Sequence, residues 1–206
     1  MKQAADKLIL ASGSPRRRTL LSAAGLNFSV IESRLHERRR PEEAPTEFAL
    51  RMARDKAVAV SRKIAHATVL GADTIVAIDG RILGKPKNRA DARAMLRKLS
   101  GRTHVVVTAF AIARDGTVLE SAPVTSRVTF RELGAAEIDA YIASGDPFDK
   151  AGAYGIQDRG AHFIAAVEGA RDNVMGLPMR EVLAALARHG IVAPNQVPAR
   201  PLDADR

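Results

Sequence analysis

Thr68-Val-Leu-Gly-Ala-Asp-Thr-Ile-Val-Ala-Ile78, followed by Asp79-Gly80 and Arg81-Ile-Leu83, is the stretch that decides the fold class. The run is rich in branched apolar side chains and reads as a strand, Asp-Gly is a strong two-residue hairpin signal, and Arg81 to Leu83 reads as the short returning strand. One residue departs from the pattern. Asp73 is a carboxylate flanked by Leu70, Ala72, Ile75 and Val76, where an isolated charge is expensive. It therefore needs a cation, a metal or a catalytic task, and a structural ion pair is the competing explanation.

Outward from this hairpin, strands and helices mix without strict alternation. Upstream, Lys7 to Ala11 reads as a buried strand, Ser14-Pro15 as the start of a helix that stops at Gly25, and Phe28 to Ile31 as a second strand. Glu32 to Pro45 is polar and reads as a loop at the edge of a cleft; Thr46 caps a helix whose apolar residues, Phe48, Met52, Ala53, Ala57, Val60 and Ile64, recur at helical spacing to about His66. Downstream, Asn88 and Asp91 open a helix that stops at Gly101, and His104 to Arg114 and Thr117 to Leu133 form a long hairpin about Asp115-Gly116. A helix over about Ala135 to Ser144, a glycine-rich loop from Asp146 to Gly160, a strand near Ala161 to Val167 and a last helix from about Pro178 to Gly190 complete the reading. The expected architecture is an α/β or α+β domain around a mixed sheet.

Length and composition bound the function. The 206 residues suit a single domain, taken here as 1–192, with the proline-bearing tail 193–206 loosely ordered. There is no cysteine, which removes disulfides and thiolate chemistry and is compatible with a cytoplasmic location. The apolar runs Leu8 to Ala11 and Val105 to Ala113 are too short for a signal-peptide core or a membrane span, so no membrane association is expected. Lys and Arg number 32 against 23 Asp and Glu, a net charge of +9 that favours anionic partners, phosphate foremost. With six Phe, two Tyr and no Trp, nucleic acid is the weaker anionic candidate, because single-strand binders stack bases on aromatics.

Three segments could carry chemistry. Ser12-Gly-Ser-Pro-Arg-Arg-Arg18 joins a strand to a helix N-terminus, where backbone N–H groups, the helix dipole and guanidinium groups make an anion site; the competing explanation is a helix cap with solvated arginines. It is not a Walker A loop, and Gly84-Lys85 is followed by Pro86 where a hydroxyl would be needed. Lys56 and Lys85 could supply further positive charge to a polyphosphate; the competing explanation for each is a solvated side chain. In Asp149-Lys-Ala-Gly-Ala-Tyr-Gly-Ile-Gln157 the glycines free the backbone to approach a ligand. The five histidines show no zinc-binding spacing.

Taken in order, Leu10-Ala-Ser-Gly-Ser-Pro-Arg-Arg-Arg18, Leu70-Gly-Ala-Asp-Thr74, Gly84-Lys-Pro86, Leu99-Ser-Gly-Arg-Thr-His104, Asp149 to Gln157 and Asn173-Val-Met-Gly-Leu-Pro178 resemble the Maf family of nucleoside triphosphate pyrophosphatases, from about Leu8 to Val192. The resemblance implies a mixed, twisted sheet flanked by helices, bilobed about a central cleft in the Maf/ITPase-like manner. It implies hydrolysis of a nucleoside triphosphate to monophosphate and pyrophosphate, with Asp73 as proton acceptor, Arg16, Arg17, Lys56 and Lys85 on the phosphates, and Ser12 and Ser14 in the loop that caps the helix. Arg16, Thr74 and Gln157 match the residues that select the base in the dTTP/UTP branch, whereas the 7-methyl-GTP branch differs there. A divalent cation (Mg²⁺, Mn²⁺ or Co²⁺) is implied as cofactor, and its usual acidic pair aligns with His36-Glu37. Either Glu37 serves the metal alone or His36 adds a nitrogen ligand, which would favour Mn²⁺ or Co²⁺. The rival reading is a basic nucleic-acid-binding or division-control module without turnover. A homodimer stays open.

Overall fold

The computed structural model describes residues 7–157 and 159–198. Its strands are β1 (Leu8–Leu10), β2 (Phe28–Val30), β3 (Thr68–Ile78), β4 (Arg81–Leu83), β5 (Thr103–Arg114), β6 (Thr117–Phe130) and β7 (Ile164–Glu168). Its helices are α1 (Pro15–Ala23), α2 (Pro45–Ser61), α3 (Arg89–Leu99), α4 (Ala135–Ala143), α5 (Arg171–Met175) and α6 (Met179–Arg188). The strands form one mixed sheet in the order β2-β1-β3-β5-β6-β7, with β1 parallel to both of its neighbours and the remaining pairs antiparallel.

The sheet has a gap that positions everything else. β5 pairs with β3 from Thr68 to Ala77, occupying one edge throughout. The other edge of β3 is shared: β1 pairs with Thr68–Leu70 and β4 with Val76–Ile78. Between them, residues 71–75 of β3 have no strand partner on that side, and Asp73 and Thr74 lie in this window. Asp79 and Gly80 both take positive φ, 52° and 70°, as the tight β3–β4 turn requires.

Alternation along β3 and β5 sends side chains to two faces. Ile9, Val69, Ile75, Val107, Ala109 and Ala111 pack against Phe48, Met52, Ala53 and Ala57 of α2. On the opposite face, Leu10, Leu70, Phe110 and Ile112 pack against α1 and α6, while Val76, Val106, Val128 and Phe130 pack against α3 and α4. These two clusters stand on either side of the window in β3. Gly71 is needed here, since a Cβ would stand 2.4 Å from the Ala53 carbonyl oxygen and 2.6 Å from the Ala57 nitrogen of α2.

Most expected elements are present, with boundary differences that have physical causes. Ser14 is the residue before α1 but makes no side-chain cap; its N–H instead donates to Ser12 Oγ at 3.3 Å. Thr46 lies inside α2, which starts at Pro45 because proline fits a first helical position and the Glu47 side chain reaches back to accept from the Ala44 N–H at 3.0 Å. α2 ends at Ser61 rather than near His66, whose positive φ of 58° does not fit a helix. α5 is an additional helix too short to show an apolar stripe. At the start of the tail Pro194–Gln196 form a 3₁₀ turn and Val197 packs with Ile191 and Val192 on the α6 cluster; residues 199–206 lie outside the described residues. Among the described residues no helix is long and apolar enough to cross a membrane.

His104, the last residue of the Leu99–His104 motif, is a buried residue of β5, and its Nε2 shares a 2.7 Å hydrogen bond with the Tyr154 hydroxyl. Burial pushes its imidazole down to about 4 from an ordinary 6.5. The unfolded chain therefore takes up this proton before the folded one does, so stability is full above pH 6.5 and falls as pH drops toward 4. The loss should reach about 3 kcal/mol. Urea titrations of the wild type and His104→Gln over pH 4–7 should show this component in the wild type and not in the variant.

Candidate active site

The window in β3 opens into a cleft of about 460 Å³, within the range of small-ligand sites. Arg16, Arg17, Arg34, Lys56, Lys85 and Lys150 line it together with Glu32, Glu37, Asp73 and Asp149, an excess of positive charge over negative. Ser12 to Pro15 form one wall, leading from β1 into α1, and Asp149 to Ile156 form part of the other.

Asp73 is 5% exposed, and its partner comes from α2. Lys56 Nζ donates to Asp73 Oδ1 and to Glu37 Oε1, each at 2.6 Å. The two carboxylates thus share one ammonium, yet their acidities diverge. Burial raises the Asp73 carboxyl above its ordinary range despite Lys56 and Arg17. Burial acts in the same direction on Glu37, but the charge and hydrogen bond of Lys56, aided by Lys85 and Arg17, outweigh it and hold Glu37 below the ordinary range. A carboxylate with raised proton affinity beside one that stays ionised is the arrangement that separates a proton acceptor from a purely electrostatic group.

Arg17 departs from the expectation of a phosphate ligand. Only 8% exposed, it donates through Nε to the Gly176 carbonyl at 2.8 Å, through Nη1 to Ser12 Oγ at 3.0 Å and the Ala72 carbonyl at 2.9 Å, and through Nη2 to Thr74 Oγ1 at 2.9 Å. Four of the five guanidinium N–H groups are given to internal acceptors, so Arg17 clamps α1, the serine loop, β3 and the turn after α5 together. Its spacing carried the signal: Arg17 precedes Leu20 and Leu21 by three and four residues, which puts it on the buried face of α1.

The other expected site residues divide. Ser12 and Thr74 reach the cleft, both tied to Arg17, and Thr74 Oγ1 also lies 3.0 Å from Thr108 Oγ1. Lys85 is exposed at the cleft and makes no ion pair among the described residues. Arg16 reaches it and donates to Asp149 Oδ2 at 3.2 Å. Gln157 is exposed and not part of the lining, although its neighbours Gly155 and Ile156 are. His36 is brought to a different place, a shallow depression against α2 with Arg51, Asp55 and Arg62, whereas Glu37 enters the cleft; the Arg38 N–H donates to the His36 carbonyl at 3.1 Å, which turns the chain at Glu37. Glu32 was missed as a lining residue. Its carboxylate lies so close to Gly13 that a Cβ there would stand 2.3 Å from Oε1, a contact without any local sequence signal. Lys150, also on the lining, is buried.

The profile of the family described as Maf-like protein matches residues 7–189. A protein of Geotalea uraniireducens (strain Rf4) named dTTP/UTP pyrophosphatase is 49% identical, covering 93% of this chain and 100% of that one. Proteins of the same name from Geobacter sulfurreducens, at 47% identity over 89% of this chain and 97% of theirs, and from Anaeromyxobacter dehalogenans (strain 2CP-C), at 46% over 94% and 100%, are likewise similar. Among solved structures, a HAM1 protein from Coxiella burnetii aligns with a TM-score of 0.47 at 15% identity, covering 89% of this chain and 99% of that one, a likeness too remote to bear on function.

Removing the Arg17 clamp should act on the folded state before any substrate is present. Arg17→Ala leaves buried acceptors unpaired and should cost about 3–5 kcal/mol, and Arg17→Lys most of that, since one ammonium cannot replace the fork. Urea denaturation without nucleotide measures it. An unchanged midpoint would return Arg17 to the role of substrate ligand.

Proposed function

The chain belongs to the Maf family, and from that premise we propose that it hydrolyses nucleoside triphosphates, dTTP and UTP in preference to others, to the monophosphate and pyrophosphate. Asp73 carries this reading: a buried carboxyl of raised proton affinity, held 2.6 Å from a lysine in a cleft of net positive charge. In the reaction, Asp73 takes a proton from the water that attacks the α-phosphorus, and the P–O bond to the pyrophosphate breaks. Lys56 aims the Asp73 carboxylate and offers positive charge near the phosphates. Lys85 stabilises the charge that gathers on departing pyrophosphate. Ser12 and the helix start behind it offer a hydroxyl and N–H groups to a phosphate oxygen. Arg16, Thr74 and, from the adjoining turn, Gln157 select the base.

Glu37 supplies hard oxygen donors at the cleft, which fit a divalent cation such as Mg²⁺, Mn²⁺ or Co²⁺. Among the described residues no three His, Asp or Glu side chains gather to hold a metal alone, so Glu37 would hold it together with the phosphate oxygens. Such an ion, when bound, supplies charge neutralisation to the triphosphate. The substrate assigns this work to the cytoplasmic nucleotide pool.

A nucleotide panel with pyrophosphate detection, with and without each cation, tests the reading. dTTP and UTP should be cleaved with higher kcat/KM than CTP, ATP, GTP and 7-methyl-GTP. Asp73→Asn should lower turnover by roughly 10²–10⁴-fold. Lys85→Ala should raise KM without lowering the melting temperature. Faster cleavage of 7-methyl-GTP would overturn the base preference alone. Salt-dependent DNA binding without pyrophosphate release would overturn the enzyme reading.

A further inference from the structure

One ion pair bridges the two walls of the cleft. Arg16 lies in the first turn of α1, where the helix dipole disfavours a cation. Its Nη1 donates at 3.2 Å to Oδ2 of Asp149, which is 133 residues away in the sequence. The other oxygen of Asp149, Oδ1, accepts from Lys150 Nζ at 2.7 Å, and the same ammonium donates to the Asp146 carbonyl at 2.6 Å. Lys150 is buried, so the chain Lys150–Asp149–Arg16 runs from a fixed end inside the fold to a guanidinium in the cleft.

Stability does not account for this pair. The Asp149 side chain is 60% exposed, and a bridge so open to water contributes little to folding. What the pair does determine is direction. An arginine side chain has many rotamers, and a carboxylate that binds one Nη1 hydrogen restricts how the remaining N–H groups are presented. Uracil and thymine offer carbonyl oxygens to such donors, whereas cytosine carries an amino group in place of one carbonyl, so guanidinium orientation decides which base is accepted.

We propose that Asp149, anchored by Lys150, is a positioning residue that holds the Arg16 guanidinium across the cleft in the orientation that favours dTTP and UTP. The inference rests on the proposed activity and on Arg16 meeting the base. It assigns Asp149 a role in selectivity, exerted through Arg16, and none in the chemical step.

The test is a double-mutant cycle on kcat and KM for dTTP, UTP and CTP, using wild type, Asp149→Ala, Asp149→Glu, Arg16→Ala and Arg16→Ala/Asp149→Ala, with melting temperatures alongside. Asp149→Ala should lower the dTTP-to-CTP ratio of kcat/KM about tenfold, mainly through KM for dTTP, and Asp149→Glu should recover part of it. In the Arg16→Ala background, Asp149→Ala should have no further effect on the ratio. An equal loss on all three nucleotides, or an effect that persists without Arg16, would make Asp149 merely structural. A gain in kcat/KM for dTTP would make it a competitor for Arg16. A wild type that cleaves all three nucleotides equally would overturn the proposed base preference and this inference with it, while leaving the pyrophosphatase reading in place; a preference that Asp149→Ala leaves intact overturns this inference alone.

Discussion

A carboxylate inside a buried strand must meet a positive charge at bonding distance, and Asp73 meets it in a helix laid across its own sheet. The Lys56–Asp73 contact of 2.6 Å requires α2 to lie almost on the backbone of β3. That approach dictates the residues around it. Gly71 has no side chain because Ala53 and Ala57 fill the space, and β5 turns Ala109, Ala111 and Ala113 toward the same helix. The small residues of this layer thus follow from the demand for one short ion pair, which a larger core would hold apart.

A second constraint follows from the gap in the sheet. Residues 71–75 of β3 lack a strand partner on the cleft side, which leaves backbone groups to be satisfied in another way. The Ala72 carbonyl is met by Arg17, whose remaining bonds reach Ser12, Thr74 and Gly176. One guanidinium therefore substitutes for a missing strand at this point. It also fixes the loop before α1 relative to Asp73, with only one residue between the clamped carbonyl and the carboxylate's neighbour Thr74.

The hairpin β3–β4 was legible because Asp79-Gly80 dictates its turn locally, and the start of α3 because Asn88 accepts from the Asp91 N–H at 2.9 Å, an interaction contained within four residues. The demand of Asp73 for a partner was equally legible from its apolar neighbours. The identity of that partner was not, since Lys56 lies 17 residues away and any cation would have satisfied the argument. The serine loop showed three consecutive arginines, and composition alone treats them alike. Helical geometry separates them: Arg17 turns inward with Leu20 and Leu21, Arg16 meets the cleft and Arg18 faces water. His36 and Glu37 are adjacent in the sequence yet line different depressions, which their order alone does not reveal.

This separation bears on what the cleft can bind. Of the four basic residues that the family resemblance assigns to the phosphates, Arg17 has given four of its N–H groups to the fold, and Lys56 is shared between two carboxylates. Lys85 remains without an ion pair among the described residues, and Arg16 is shared with Asp149. A triphosphate carries more negative charge than these two side chains and Arg34 can cancel, and Glu32 in the same cleft adds to the excess. In the proposed reaction the substrate must therefore arrive with compensating charge of its own. A divalent cation carried by the phosphates and received by Glu37 meets that requirement, and it would turn an acidic side chain in a phosphate site from a source of repulsion into a means of recognition.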